Sequence, residues 1–171
     1  MRFHHKLIWP ASEACQEMKI LDFLRIEDII CPLKSDTKAG VLEELVGPIT
    51  TANPDLDRGG LIKILGEREK LGSTGIGGGI AIPHGKFDGL DHLVSSFGKS
   101  HRGIDFSSMD SKPAFIFFLL VAPKNSAGEH LKALARISRL LKDPLLLSGL
   151  QKAESSEGIY RLLEEYDLRL P

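Results

Sequence analysis

The stretch Ala114-Phe-Ile-Phe-Phe-Leu-Leu-Val121 reads as a β-strand buried on both faces, an unbroken apolar run with two adjacent phenylalanines. Upstream of it, Leu93 to Gly98 reads as another strand, and Ile80-Ala-Ile82 as a short one ending at Pro83-His84. Downstream, Ser126-Ala-Gly-Glu129 has the form of a capping box, with Ser126 at the N-cap and Glu129 at the third helical position. The helix it opens carries Leu131, Leu134, Ile137, Leu140 and Leu141 at helical spacing. Asp143-Pro144 caps the next helix, and Ser155 or Ser156 opens a last one through Ile159, Leu162 and Leu163. Nearer the N-terminus, Ile26 to Ile30 is short and apolar. Ser35 or Asp36 caps a helix from Thr37 to about Ile49, with Val41, Leu42, Leu45 and Val46 on one face, and Asn53-Pro54 breaks it. A second helix over Leu56 to Leu71 buries Leu61, Ile64 and Leu65. Strands alternating with helices predict an α/β fold: a three-layer sandwich in which helices flank both faces of a mixed, partly parallel sheet.

The chain has 171 residues, the size of one domain. Residues 1–18 lack a clean period and are read as an N-terminal extension, with a short extra helix over Ala11 to Met18 as one form it could take; residues 19–171 are read as the domain. With 22 basic and 23 acidic residues the net charge is −1, so no general attraction to nucleic acid is expected. The dense apolar run Phe115 to Ala122 is too short to span a bilayer, so no membrane insertion is expected. Arg2 and Lys6 precede only Leu7, Ile8 and Trp9 before Pro10, too little for a signal-peptide core. Cys15 and Cys31 make no disulfide framework and read as reduced thiols of a cytoplasmic protein. His4, His5 and Cys15 lack a fourth ligand at a recognised spacing, so no metal is expected, nor any other cofactor.

Chemistry concentrates in Gly72-Ser-Thr-Gly-Ile-Gly-Gly-Gly79, which is too glycine-rich for regular structure. It is not a P-loop, because Ile80-Ala81 follows Gly79 where Lys-Ser/Thr is required. It is not a dinucleotide fingerprint either, since Gly75-x-Gly77 reaches Ile80 and Gly77-x-Gly79 reaches Ile82 at the third glycine position. What remains is a flexible backbone whose amides, those of Gly75 and Gly77 among them, can form an anion-binding concavity. Ser73 and Thr74 either bond a phosphate oxygen there or shape the turn. The strand that follows ends in His84, stiffened by Pro83. An imidazole beside an anion nest is a reasonable phosphoryl acceptor, and its ordinary pKa leaves it neutral enough to attack at pH 7.

Glu69, then Ile76-Gly77, then Ile80-Ala-Ile-Pro-His-Gly85 resembles the phosphorylation signature of the fructose/mannitol-type EIIA domain of the phosphotransferase system. The longer run Arg68-Glu-Lys-Leu-Gly-Ser-Thr-Gly-Ile-Gly-x-Gly-Ile-Ala-Ile-Pro-His-Gly-Lys86 resembles that family's nitrogen-regulatory branch. The likeness spans about residues 20 to 168. It implies that His84 is the phosphorylated histidine, on Nε2, that Arg68 lies near the phosphoryl group, and that His130 is a second histidine beside the first. Gly78 departs from the branch, which usually has Asn there, and that removes one expected side-chain bond.

Residue chemistry agrees with these roles. Arg68 can offer a forked pair of bonds to phosphate oxygens, or pair with Glu67 or Glu69. His130 falls in a helix's first turn, where free N–H groups favour an anion. His92, His101, Lys86 and Lys99 read as solvated surface, and Ile76 and Phe87 as an apolar rim or as core. The resemblance implies a phosphocarrier with a regulatory role, fed by an HPr-like histidine phosphocarrier and read by target proteins. Two alternatives stay open. One is a sugar-transport EIIA component that passes phosphate to a IIB domain. The other is a binding module that needs no phosphate.

Overall fold

The computed structural model describes residues 17–171. The expected helix over Ala11 to Met18 and the residues His4, His5 and Cys15 fall in whole or in most part outside them. Single 3-10 turns over Ile20–Asp22 and Ile26–Asp28 lead into β1 (Ile29–Ile30). Helices α1 (Lys38–Ala52) and α2 (Arg58–Lys70) follow, then β2 (Gly75–Gly77), β3 (Ile80–Ala81) and β4 (His84–Phe87). The long strands β5 (Val94–Ile104) and β6 (Ala114–Pro123) come next, and α3 (Ala127–Leu140), α4 (Pro144–Lys152) and α5 (Ser156–Arg169) complete the chain.

The apolar run is the middle of the sheet, as its composition demands. Strand order is β1-β5-β6-β3-β2, and β4 also lies against β6. β5 and β6 are antiparallel, whereas β1 with β5, and β3 and β4 with β6, are parallel. Successive side chains of β6 point to opposite faces. Ile116, Phe118, Leu120 and Ala122 pack under Ala133, Ile137 and Leu140 of α3, Leu146 of α4 and Leu163 of α5. Phe117, Leu119 and Val121 pack under Val41 and Leu45 of α1 and Leu61 and Leu65 of α2. The edge-to-face pairs Phe97–Phe118 (6.0 Å) and Phe106–Phe117 (5.3 Å) stand on opposite faces of this strand. The sandwich of three layers is therefore as expected.

Several local expectations change. The cap of α1 is Thr37, whose hydroxyl accepts the Gly40 N–H at 3.1 Å, in place of Ser35 or Asp36. The capping box at Ser126 does not form: its hydroxyl donates to the Pro123 carbonyl at 2.7 Å and caps no helical N–H. Asp143 and Ser155 do cap, accepting from Leu145, Leu146 and Gly158. Leu131 is 68% exposed, because α3 buries the face carrying His130, Ala133, Ile137 and Leu140. Lys99 is buried, with its ammonium on the Gln151 carbonyl (2.7 Å) at the end of α4, where a cation suits the helix dipole. Phe87 belongs to the core, while Ile76 is 36% exposed.

Candidate active site

The glycine-rich segment is a β-hairpin and not an irregular loop. β2 pairs antiparallel with β3, Gly75 opposite Ala81 and Gly77 opposite Ile80. Gly77, Gly78 and Gly79 all have positive φ (87°, 64° and 81°), a tip that residues with a Cβ would strain to make. A Cβ on Gly75 would lie 2.4 Å from Ser108 Oγ and 2.9 Å from Ser108 Cα, so the β5–β6 connection closes directly on this strand.

Between β3 and β4 the chain has no ladder residue at Ile82 or Pro83. The Ile82 N–H donates to the Thr74 carbonyl (2.9 Å), and the Pro83 carbonyl accepts from Leu120 (3.0 Å). Pro83 has no N–H to give, which suits an edge position. His84 then opens β4 opposite Leu120, where β2 no longer covers the strand. Its ring is half-buried.

His84 Nδ1 lies 2.8 Å from the Ile82 carbonyl oxygen. A carbonyl only accepts, so Nδ1 carries the proton and the lone pair sits on Nε2. Burial lowers the His84 pKa below the ordinary imidazole value; the Ile82 bond opposes this, and the Arg68 charge lowers it further. The ring is therefore neutral near pH 7, with Nε2 as its nucleophilic atom.

His130 comes from the first turn of α3 and meets His84 edge to face, ring centres 5.7 Å apart. It is buried, and its Nε2 has no hydrogen-bond partner. A buried polar atom without a partner is uncommon and calls for a reason. Burial, then the charges of His84 and Lys86, push its pKa down as well.

Arg68 lies in the last turn of α2. One guanidinium N–H donates to the Gly72 carbonyl at 3.0 Å, and Arg68 forms no ion pair among the described residues. Neither Glu67 nor Glu69 pairs with it, so its charge stays uncompensated beside His84. Glu69 turns inward instead. It is buried, pairs with Lys38 at 2.7 Å, and accepts from the Thr74 N–H (3.0 Å) and hydroxyl (2.6 Å). Burial alone would raise its pKa, but the Lys38 and Thr74 bonds hold it below the usual carboxylate value.

Of the four expected phosphate ligands of the glycine stretch, Ser73, Thr74 and Gly75 have other partners. Ser73 donates to the Phe106 carbonyl (2.6 Å) and accepts from Gly75 (3.0 Å), which shapes the turn. The Thr74 hydroxyl is committed to Glu69. Gly75 is closed over by Ser108, and at the tip the Gly78 N–H is taken by the Asp110 carboxylate (3.0 Å) beside Gly77. Lys38, some thirty residues before the motif, is the residue the sequence reading missed, and nothing local marks it. Among the described residues no cluster of metal-ligating side chains occurs, and no helix is long and apolar enough to cross a membrane.

An edge-strand histidine of fixed tautomer and a buried second imidazole thus stand together, near an arginine that forms no ion pair among the described residues. The profile of the phosphoenolpyruvate-dependent sugar phosphotransferase system EIIA 2 family matches residues 22–166, and the chain belongs to that family. It is 40% identical over 146 residues to a nitrogen regulatory protein of Bradyrhizobium diazoefficiens, covering 85% of this chain and 95% of that one. It is 35% identical over 150 residues to the fructose-specific EIIABC component of Bacillus subtilis, covering 88% of this chain and 24% of that one. Among solved structures, the nitrogen regulatory protein IIA-Ntr of Neisseria meningitidis superposes with a TM-score of 0.77 at 29% identity, covering 83% of this chain and 97% of that one.

Proposed function

We propose that this chain is a phosphocarrier with a regulatory role, taking a phosphoryl group on His84 Nε2 from an HPr-like histidine phosphocarrier and presenting its phosphorylation state to target proteins. One observation carries the reading: the Nδ1–H bond to the Ile82 carbonyl leaves Nε2 unprotonated. Nε2 attacks phosphorus in line, the N–P bond of the carrier breaks, and the carrier's imidazole leaves with that electron pair. No proton has to move at His84. The positive charge spread into its ring is met at Nδ1 by the Ile82 carbonyl. In this reading Arg68 and the unpartnered His130 Nε2 meet the phosphoryl oxygens.

Similarity to the full length of a nitrogen regulatory protein supports the regulatory reading. The fructose-specific relative supports a second one, in which the phosphoryl group passes on to a IIB domain. The acceptor chemistry is the same in both. Incubation with phosphoenolpyruvate, enzyme I and an HPr-like carrier should place one acid-labile phosphate on the wild type and none on His84→Ala. Equal labelling of the two proteins, or none on the wild type while the carrier is labelled, contradicts the reading.

A further inference from the structure

We propose that Glu69, braced by Lys38 and Thr74, is a positioning residue that holds His84 in its reactive tautomer. The inference rests on the proposed role of His84 and adds what keeps that ring in place. A carboxylate buried in the last turn of a helix is doubly disfavoured, by desolvation and by the negative end of the helix dipole. Glu69 occupies such a position at the end of α2. Three donors offset that cost: Lys38 at 2.7 Å, the Thr74 hydroxyl at 2.6 Å and the Thr74 N–H at 3.0 Å. Lys38 is itself tied down, donating to the Phe106 carbonyl (2.9 Å) and lying 4.7 Å from the centre of the Phe106 ring.

The line continues to the acceptor. The Thr74 carbonyl takes the Ile82 N–H at 2.9 Å, and the Ile82 carbonyl takes the His84 Nδ1–H at 2.8 Å. The Thr74–Ile82 bond closes the open end of the β2–β3 hairpin. The next residue, Pro83, has no N–H with which to add another. Position 82 is thus anchored on this side through Thr74, and Thr74 through Glu69. An imidazole with both nitrogens free to choose populates two tautomers, and only one of them leaves Nε2 able to attack.

The test needs two readouts. Two-bond 1H–15N spectra of 15N-labelled protein, above the His84 pKa and with no carrier present, report the tautomer. Single-turnover phosphorylation at saturating HPr-like carrier reports the rate. Wild type should be Nδ1-protonated. Glu69→Ala should show mixed tautomers and a roughly ten- to hundred-fold slower transfer at saturation, with little change in the half-saturating carrier concentration. Thr74→Val should show a smaller loss of the same kind, which Thr74→Ser should repair. Glu69→Gln should stay near wild type, because its oxygen can accept from Lys38 and the Thr74 N–H while its amide donates to the Thr74 hydroxyl.

Folded Glu69→Ala and Thr74→Val proteins with the wild-type tautomer and rate would overturn the proposal. So would a Glu69→Gln protein as disturbed as Glu69→Ala, since charge and not bracing would then be at work. Should Glu69→Ala fail to fold, the comparison of Thr74→Val with Thr74→Ser decides. Wild type that is Nδ1-protonated but takes no phosphate contradicts the phosphocarrier reading alone, because the spectra read the bracing without it.

Discussion

At the scale of single residues, the two histidines make a pH-dependent pair. Both pKa values lie below the ordinary 6.5, and in each case burial is the first cause. In the unfolded chain both rings return to that ordinary value, so near and below it the unfolded state binds protons that the folded state refuses. The stability that follows from keeping them neutral is present above about pH 6.5 and is lost as pH falls through the lowered folded values. Urea midpoints should therefore drop from pH 7.5 to pH 5.5, and less steeply in a His84→Gln, His130→Gln double variant. An equal drop in that variant would mean that other groups carry the dependence. The acceptor should likewise stay reactive to lower pH than a free imidazole would.

The residue scale is also where the sequence was most legible about chemistry. His84 and Arg68 stand in a motif with few free positions, His130 came from the resemblance alone, and the structure sets the two rings side by side. The donors of Ser73, Thr74 and Gly75 were not legible. Whether a hydroxyl or amide near a glycine turn faces a ligand depends on what else arrives there, and here Phe106 and Ser108 arrive from distant sequence while Glu69 turns in from the end of α2.

Among the elements, legibility followed burial. β6 is apolar on both faces because helices cover both, and a continuous run announces that. β4 is not announced, because His84-Gly-Lys-Phe87 places a half-buried ring, a glycine and an exposed lysine in a strand defined only by its pairing with β6. The hairpin over Gly75 to Ala81 was hidden by its own glycines, which permit the tip while removing the side-chain pattern of a strand. The α3 face was misjudged at Leu131 because two polar residues, His130 and Arg136, occupy buried positions.

Arg136 belongs to a lock between elements. It donates to Asp167 of α5 at 2.6 Å, and Asp167 also accepts the Ile20 N–H at 2.7 Å. The two side chains are only 8% and 3% exposed. Breaking such a pair from one side leaves the buried Arg136 with only the exposed Glu17, 3.3 Å away, as a counter-charge among the described residues, so Asp167→Ala should cost about 3–5 kcal/mol in denaturant unfolding. A loss below ~1 kcal/mol would show that water reaches Arg136 after the change. His84 stands on β4, which carries no residue of this lock, and its tautomer should be unchanged in that variant.

For the whole molecule, the sandwich explains why the proposed phosphoryl acceptor sits where it does. Parallel pairing of β4 with β6 carries His84 to the sheet edge beside the start of α3, which supplies His130, and close to the end of α2, which supplies Arg68. No side-chain oxygen caps the first N–H groups of α3, so that helix end keeps its affinity for negative charge. The three layers were legible from the alternation of apolar strands and amphipathic helices. The edge position of His84 was not, since it depends on β2 stopping short of β4.

The most direct measurement is the site of the N–P bond in the phosphorylated protein, read by 31P and 15N NMR of 15N-histidine-labelled material. The structure predicts phosphorus on Nε2 of His84, with Nδ1 still protonated against the Ile82 carbonyl. Phosphorus on Nδ1 of His84, or on any other side chain, would contradict it.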